Sequence, residues 1–265
     1  MENYELICKE VVDFSRQIGK MVKRRRLYNA PEIKYKGQND FVSEMDILVE
    51  RKVVEKLTEI KPEAGVICEE KTSSKKGEKF DWVIDPIDGT ANFFHGIYPC
   101  SISIALQKNG NTVLGVVYEI GNDECFYAWE GGPSMLNENE IKVSSATQIR
   151  HSLIAIGFPR GNFQQLDKYL NTISDLLKKS HGLRRMGSAA TDLAYVACGR
   201  FDAYYEYNLK LWDVAAGAFI VKQAGGLVVD FSGNDIFPFN GEVLAVNEHL
   251  QKDILPVVKN WMNQS

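Results

Sequence analysis

Acidic residues at the ends of predicted strands are the residues best suited to chemistry. The stretch "DWVIDPIDGT" (81–90) places Asp85 at the end of an apolar run and Asp88 three residues later. A carboxylate at a buried strand end is costly without a partner, and two clustered carboxylates repel unless a proton or a cation lies between them. Hard divalent cations take oxygen ligands, and Mg²⁺ sites are often completed by a substrate phosphate. The pair therefore predicts a site for a hard cation.

A Gly-Thr pair follows the two acids. Gly89 and Thr90 stand where the next helix is predicted to begin. Backbone N–H groups at a helix start bind anions, and glycine lets a phosphate approach closely. Pro86 is predicted to force a turn that brings Asp88 back towards Asp85. One short segment would then supply a cation site beside a phosphate site, which is the arrangement that metal-assisted phosphoryl transfer requires.

Three further acidic positions lie at predicted strand ends or helix starts: Asp46, Glu69 with Glu70, and Asp213. Taken singly, each has an ordinary structural interpretation. Asp46 fits a capping box with Ser43, Asp213 fits a helix N-cap, and the glutamate pair fits a solvated strand end. Considered together with the 85–88 pair, the glutamate pair and Asp213 would complete the ligand shells of a metal site.

The elements that must position these acids alternate between helical and extended patterns. Apolar spacing of three and four predicts helices at 4–22, from Ser43 to Pro62, near 164–179, from Ser188 to Gly199, from Asp213 to Gly225 and at 250–261. Apolar runs predict strands at 65–70, 80–85, 101–106, 112–120, 124–132, 152–158, 227–233 and 242–247, with another strand after Gly199. The "KNGN" segment (108–111) predicts a hairpin turn, and 73–79 a polar loop. The pattern is that of a mixed helix and sheet protein in two halves, which meet near 140–150.

Composition excludes several classes of protein. The 265 residues are 45% hydrophobic and 25% charged, with a formal net charge of -4, so bulk nucleic-acid binding is not expected. The basic run "KRRR" (23–26) is interpreted as a solvated helix end. Five cysteines without CxxC spacing argue against a zinc ribbon or a disulfide scaffold. The N-terminal segment carries acids where a signal peptide carries an apolar core, and no apolar run approaches the ~20 residues of a membrane helix. A cytoplasmic enzyme or binding protein is the expectation.

Two motifs resemble a known family. "DPIDGT" (85–90) and "WDVAAG" (212–217) are similar to the two signature motifs of the inositol monophosphatase family. The flanking segments resemble that family in the same order along nearly the whole chain: "NDFVSEMDILVE" (39–50), "ICEE" (67–70), "MGSAA" (186–190) and "AYYE" (203–206). The resemblance implies an α+β fold, a layered α/β/α/β/α sandwich that forms a single catalytic unit. In it, residues 1–145 would bind metal and phosphate, and residues 146–265 would form the substrate side.

The resemblance also implies Mg²⁺-dependent hydrolysis of a small phosphate monoester by a metal-activated water, with two or three ions and common inhibition by lithium. Its metal ligands would be Glu69, Asp85, the carbonyl of Ile87, Asp88 and Asp213. Glu69 and Thr90 would orient the attacking water, with Asp46 supporting Thr90. The substrate contacts would be Asp88, Gly89, Thr90, Gly187, Ser188, Ala189, Glu206 and Asp213. Within this set, the backbone N–H groups of Gly89 and Thr90 would hold the phosphate.

Two departures from the family pattern have structural consequences. Cys68 stands where the family usually has glycine, and we interpret it as a small buried residue rather than a nucleophile. The segment "GGPSMLNENE" (131–140) replaces a different family motif and is predicted to form a turn.

Several alternatives remain open from the sequence. Tyr205, Glu206 and "MGSAA" favour myo-inositol 1-phosphate as substrate, but relatives of this type also act on fructose 1,6-bisphosphate, 3′-phosphoadenosine 5′-phosphate or histidinol phosphate.

The resemblance implies a homodimer. A haloacid-dehalogenase mechanism, with an aspartate nucleophile, is disfavoured because the acids are three apart rather than two and Pro86 interrupts the strand. A non-enzymatic, protein-binding role in the transcription machinery is the alternative outside enzymology.

Overall fold

The computed structural model describes residues 2–28, 33–37, 40–73, 75–159, 163–236 and 239–263, with backbone only at 27–28, 33–37 and 40–43. Its helices are α1 (Tyr4–Tyr28), α2 (Glu44–Ile60), α3 (Thr90–His95), α4 (Leu166–Lys179), α5 (Ala189–Ala197), α6 (Leu211–Gln223) and α7 (Glu248–Met262). A short 3-10 helix covers Ile149–His151. Among these described helices, none combines the length and the apolarity that a membrane span would need.

The strands form two large sheets and one small ribbon. They are β1 (Ile33–Gly37), β2 (Asp40–Ser43), β3 (Gly65–Cys68), β4 (Phe80–Asp88), β5 (Ser101–Lys108), β6 (Asn111–Glu119), β7 (Glu124–Trp129), β8 (Met135–Leu136), β9 (Asn139–Glu140), β10 (Leu153–Ile156), β11 (Gly182–Arg184), β12 (Ala203–Tyr207), β13 (Leu227–Val229) and β14 (Glu242–Val246). The larger sheet has the order β3-β4-β5-β6-β7-β8-β9, and the other has the order β11-β10-β12-β14-β13. The β1-β2 ribbon is separate from both.

The layers follow from which helices contact which sheet. Helices α1 and α2 pack on the outer face of the larger sheet, and α5 and α6 lie between the two sheets. Helices α4 and α7 cover the outer face of the second sheet. The expected α/β/α/β/α sandwich is therefore confirmed. Each sheet is covered on both faces, and this explains why its strands are apolar over most of their length.

Local predictions are largely confirmed. The "KNGN" segment forms a hairpin turn in which Asn109 and Gly110 have φ values of 52° and 82°, as a two-residue hairpin with positive φ at both positions requires. The 131–140 segment also turns, and it adds the short β8-β9 hairpin to the sheet edge. Ser188 caps α5 by accepting a hydrogen bond from Thr191 N.

Three local predictions need correction. Pro86 does not force a turn, because β4 continues through it to Asp88. Asp213 is not the N-cap of α6; Lys210 has that position and Asp213 lies in the first turn. The basic run at the end of α1 is only partly solvated, since Arg26 donates to the carbonyls of Phe93 and Phe94 at 2.8 and 2.9 Å.

The proposed capping box of Asp46 involves the Ser43 side chain, which lies outside the described residues.

Helix α6 lies unusually close to the larger sheet at one glycine. A Cβ added to Gly115 of β6 would lie 2.7 Å from the carbonyl oxygen and 3.0 Å from the Cα of Ala216 in α6. Backbone atoms cannot move aside as a flexible side chain can, so only glycine allows this contact. The approach sets the distance between the sheet that carries Asp85 and the helix that carries Asp213.

We predict that Gly115→Ala destabilises the protein by about 1–3 kcal/mol, because the new methyl group overpacks the sheet–helix contact. Thermal unfolding should show a melting temperature lower by roughly 2–4 °C per kcal/mol for a chain of this size. Gly182→Ala is the matched control, since its Cβ would meet its nearest neighbour at an ordinary 3.6 Å. Equal melting temperatures for the two variants would contradict the close-approach argument.

Candidate active site

A β-bulge places Asp85 and Asp88 on the same face of the larger sheet. Asp85 pairs with Ser103 and Asp88 pairs with Ser101, so three residue steps on β4 oppose two on β5. In a regular strand, residues three apart point to opposite faces, and one extra residue reverses that alternation. The packing of the neighbouring apolar residues confirms that the alternation of side chains along β4 is reversed at the bulge. Val83 faces the middle helices, whereas Ile84 and Ile87 both face α1 and α2. Both acids therefore point at the helix layer between the sheets.

Three carboxylates converge there. One oxygen each from Asp85, Asp88 and Asp213 lies within 4.8 Å of the others, a grouping that could hold a metal ion. Asp85 and Asp88 are buried and Asp213 is half-buried. Burial, followed by the negative charges of Glu69, Asp88 and Asp213, raises the pKa of Asp85 well above its ordinary value. A side-chain hydrogen bond between Glu69 and Asp85 also raises the pKa of Asp85. The acids thus destabilise one another's charged forms, and a bound cation would reverse that effect.

The start of α5 holds Asp88. Its Oδ2 accepts a hydrogen bond from the Ser188 hydroxyl at 2.6 Å and another from the backbone N–H of Ala190 at 2.8 Å. The Ser188 hydroxyl also lies 3.1 Å from that of Ser101, the β5 partner of Asp88. A carboxylate at a helix N-terminus is stabilised by free N–H groups and the helix dipole. Ser188, which the sequence assigned to the substrate side, therefore contacts a predicted metal ligand directly, and the Ala190 contact was not predicted.

The first turn of α6 holds Asp213. Its Oδ2 accepts a hydrogen bond from the backbone N–H of Lys210 at 2.6 Å. Ser103 donates to the Trp212 carbonyl at 3.2 Å and so joins the start of α6 to β5. Because Ser103 is also the strand partner of Asp85, one serine relates the positions of two acids from opposite halves of the chain.

Glu50, a buried acid that sequence reasoning did not select, shapes the segment after Glu69. It is fully buried in α2 and accepts from the backbone N–H groups of Glu70 and Thr72 at 2.7 and 2.8 Å. The N–H of Glu69 itself donates to the Ile84 carbonyl at 3.3 Å. A signal was present in the sequence, because Glu50 stands on the buried face of α2, with Asp46 one turn before it. Acids on a buried helical face indicate partners, and here the partner is the segment carrying Glu69.

Thr90 and Asp46 meet as the family resemblance implied. The Thr90 hydroxyl lies 3.3 Å from Asp46 Oδ1 and 3.0 Å from the Ile87 carbonyl oxygen, and it can donate to either. Asp46 is fully buried. Gly89 precedes α3 with φ 88°, a conformation that favours glycine, and a Cβ there would lie 3.1 Å from the Gly187 carbonyl oxygen. Gly89 therefore permits the two halves of the chain to approach at this point.

The alcohol side assigned from the sequence lies beside this cluster. Asn92 donates to the carbonyls of Pro99 and Met186 at 2.8 and 2.7 Å, which places Gly187 and Ser188 against α3. Ala189 begins α5 and is buried. Glu206 on β12 accepts from the Tyr204 hydroxyl at 2.5 Å, and its carboxyl group occupies the space where a Cβ on Gly157 would stand. The structure thus describes every residue predicted for the site, while their roles in binding and catalysis stay predictions.

Cys68 behaves as the sequence suggested. Its side chain is buried, its thiol donates to the Ser73 carbonyl at 2.8 Å, and burial raises its pKa to about 11. A thiol with a raised pKa is a poor nucleophile at neutral pH. Cys68 therefore belongs to the packing beneath Glu69 rather than to the chemistry.

Comparison with known proteins agrees with this geometry. A model of the inositol monophosphatase family matches residues 4–262. A putative Nus factor SuhB of Neisseria meningitidis (serogroup B) is 41% identical over 224 residues, which cover 84% of this chain and 86% of that protein. An inositol-1-monophosphatase of Mesorhizobium japonicum is 36% identical over 230 residues, which cover 86% of both chains.

Among solved structures, the extragenic suppressor protein suhB of Bartonella henselae superposes with a TM-score of 0.90 at 34% identity, over 96% of this chain and 98% of that one. Sequence motifs, fold and acid cluster thus agree with the family match over nearly the whole length. The chain belongs to the inositol monophosphatase family and is a phosphoric monoester hydrolase of that family.

Proposed function

We propose that this chain hydrolyses a small phosphorylated polyol, myo-inositol 1-phosphate before others, with Mg²⁺ as its cofactor. The observation that carries the proposal is the cluster of Asp85, Asp88 and Asp213, whose carboxylate oxygens lie within 4.8 Å of one another. The inositol-1-monophosphatase described above supports the same activity.

The donor set fits a hard divalent cation. Every candidate ligand atom is an oxygen. Asp85 is only 1% exposed, and the carboxyl groups of Glu69, Asp88 and Asp213 lie near it. Carboxylates and backbone carbonyls are the ligands that Mg²⁺ takes, and nitrogen or sulfur ligands would favour other metals. The proposed ligands are Glu69, Asp85, the Ile87 carbonyl, Asp88 and Asp213, for two or three ions. Such ions would neutralise phosphate oxygens and lower the pKa of a bound water.

The protein's own groups would orient the reactants. The Thr90 hydroxyl has its proton engaged by Asp46 or by the Ile87 carbonyl, so its oxygen stays available to accept from the attacking water. Glu69, which interacts with Asp85, would accept a proton from that water. The N–H groups of Gly89 and Thr90 would hold the phosphate. We propose direct hydrolysis without a phosphoenzyme, and detection of a covalent aspartyl-phosphate on Asp85 would contradict it.

Glu206 supports a polyol as the alcohol. An ionised carboxylate only accepts hydrogen bonds, so it suits a leaving group rich in hydroxyls. Fructose 1,6-bisphosphate, 3′-phosphoadenosine 5′-phosphate and histidinol phosphate are the alternative substrates, since the acid cluster would serve all of them equally. A panel of these four compounds, assayed for Mg²⁺-dependent release of phosphate, decides between them by kcat/KM. A value for inositol 1-phosphate below those of the others would overturn the substrate assignment.

A protein-binding role in the transcription machinery is the second candidate function. The relative described as a putative Nus factor supports it. The two roles make different demands on the acid cluster, because catalysis needs the intact acids whereas a docking surface does not. Absence of turnover on the whole panel would favour the binding role.

Assembly and location also stay proposals. We propose a homodimer in the cytoplasm that binds neither membrane nor nucleic acid. Size-exclusion chromatography with light scattering measures the assembly directly, and a monomeric mass at micromolar concentration would contradict the dimer.

We predict that Asp88→Asn and Asp213→Asn keep the fold but lower Mg²⁺-dependent kcat by at least about 10²-fold, because each removes a charge that holds the cation. Circular dichroism checks the fold and phosphate release checks the rate. Asp167→Asn, an exposed acid in the first turn of α4, is the matched control and should leave the rate unchanged. Near-normal rates for either site variant at saturating Mg²⁺ would refute the metal assignment.

We predict that Thr90→Ala lowers kcat by about 10²- to 10⁴-fold while KM changes little, because the hydroxyl orients the water rather than the substrate. Thr90→Ser, which retains the hydroxyl, should recover most of the rate. Steady-state kinetics at saturating Mg²⁺ measure both parameters. A rise in KM with normal kcat would instead make Thr90 a binding residue.

We predict that the stabilisation gained on adding Mg²⁺ grows as pH rises. Since the pKa of Asp85 is raised in the folded protein from a reference value of 3.8, the metal-free fold loses stability as pH increases from that value towards the raised pKa. A bound cation removes this loss. Melting temperatures with MgCl₂ and with EDTA, at about pH 5 and about pH 8, should differ more at the higher pH. A rise in melting temperature on adding Mg²⁺ that is the same at both pH values would contradict this prediction. A rise that depends on pH as strongly in Asp85→Asn as in the parent protein would also contradict it.

A further inference from the structure

Asp192 is a buried acid to which the mechanism above gives no role. It lies in the first turn of α5 and is 1% exposed. Neither of its carboxylate oxygens forms a hydrogen bond with any residue that the structure describes. A buried carboxyl group without a partner is costly, and in native proteins such groups are normally satisfied by a protein group, a water or a ligand. The isolation of Asp192 therefore requires an explanation.

The surroundings of Asp192 point to the alcohol side of the site. Burial, followed by the negative charges of Glu206 and Asp88, raises the pKa of Asp192 well above its ordinary value, and Arg185 opposes this shift. Donors on β12 and at the start of α5 are engaged by other acids. Tyr204 donates to Glu206 at 2.5 Å, and the α5 start donates to Asp88. Asp192 lies two residues after Ala190, whose N–H holds Asp88, and α5 packs against β12, which carries Glu206. Asp192 is thus near two proposed substrate contacts, and it does not share the donors that hydrogen-bond to them.

Asp192 lacks a donor among the described residues and lies near the carboxyl group of Glu206, so a hydrogen-rich partner would suit this position. A water between two carboxyl groups can donate to both, and it can accept from a hydroxyl of the ligand. A polyhydroxylated alcohol offers several hydroxyls to such an arrangement, whereas an aromatic or simple alcohol offers none beyond the esterified oxygen. The pair of Asp192 and Glu206 therefore matches the chemistry of a polyol.

We propose that Asp192 is a specificity-determining positioning residue, which acts with Glu206 through a bridging water to select a polyhydroxylated leaving group. The proposal rests on the phosphatase function proposed above and extends it by assigning part of its substrate selectivity to α5. Asp192 has no part in the hydrolysis itself, so its removal affects which alcohol is accepted and leaves the phosphate chemistry intact.

The test compares two substrates that share the phosphate and differ in the alcohol. Inositol 1-phosphate carries a polyol, and p-nitrophenyl phosphate carries an aromatic alcohol without further hydroxyls. Asp192→Leu keeps the branching of the side chain and removes both acceptors, while Asp192→Asn keeps one acceptor oxygen and the shape. Ser15→Ala is the matched control, because Ser15 in α1 is also buried and its hydroxyl also lacks a partner among the described residues, far from the site in sequence.

We expect Asp192→Leu to raise KM for inositol 1-phosphate by about fivefold or more, the loss that removal of one hydrogen bond predicts. KM for p-nitrophenyl phosphate and kcat for both substrates should stay within about twofold. Asp192→Asn should change the same KM by a smaller factor, and it keeps the test valid if the leucine variant does not fold. Ser15→Ala should alter the melting temperature only.

Two results would overturn the proposal. Equal losses on both substrates would show that Asp192 supports the fold of α5 and not the selection of alcohol. Unchanged kinetics on both substrates for both variants would show that Asp192 has no influence on the site. Absence of Mg²⁺-dependent hydrolysis by the parent protein on either substrate is a different failure, because it refutes the proposed function and this inference with it.

Discussion

Repulsion between carboxyl groups is the interaction on which the rest of this structure depends. Asp85, Asp88 and Asp213 come from two distant parts of the sequence, and Glu69 adds a fourth negative charge beside them. Left alone, such groups would move apart or take up protons. The fold prevents the first outcome by fixing each acid with separate contacts, so that a proton or a cation must relieve the repulsion. If the cluster holds an ion as proposed, its affinity would come from the repulsion that the scaffold maintains between the acids.

The contacts that hold the acids also join the two sheets. Ser188 and Ala190 at the start of α5 hold Asp88, and Lys210 at the start of α6 holds Asp213. Both helices lie in the middle layer, where their N-terminal ends meet the end of β4. Because helix N-termini stabilise negative charge, the middle layer contributes electrostatically as well as by packing. A change in the spacing of the two sheets would therefore alter the geometry of the acids directly.

Much of this arrangement was predictable from the sequence, but its central detail was not. The positions of β4, α3, α5 and α6 followed from apolar spacing and from glycine and serine signals. The sequence pattern suggested a turn at Pro86, whereas the structure has a bulge, because whether a strand turns or bulges depends on pairing with β5. That pairing is a long-range property which no local pattern reports. The role of Glu50 was missed for a related reason. Its buried helical position was visible, but its partners lie about 20 residues away.

The proposed roles divide catalysis and selectivity between the halves of the chain, with Asp213 as the exception. Asp46, Glu69, Asp85, Asp88 and Thr90 come from the first half, and this set would treat any phosphate monoester alike. In the proposed arrangement the alcohol meets α5 and β12, where Ser188 and Glu206 lie, so differences between substrates would arise there. Of the acids in that region, Asp88 and Glu206 have donors from the protein, whereas Asp192 has none among the described residues. A site in which one acceptor is left to the ligand or its water discriminates strongly, because an alcohol that cannot supply the missing hydrogen bond leaves a buried polar group unpaired.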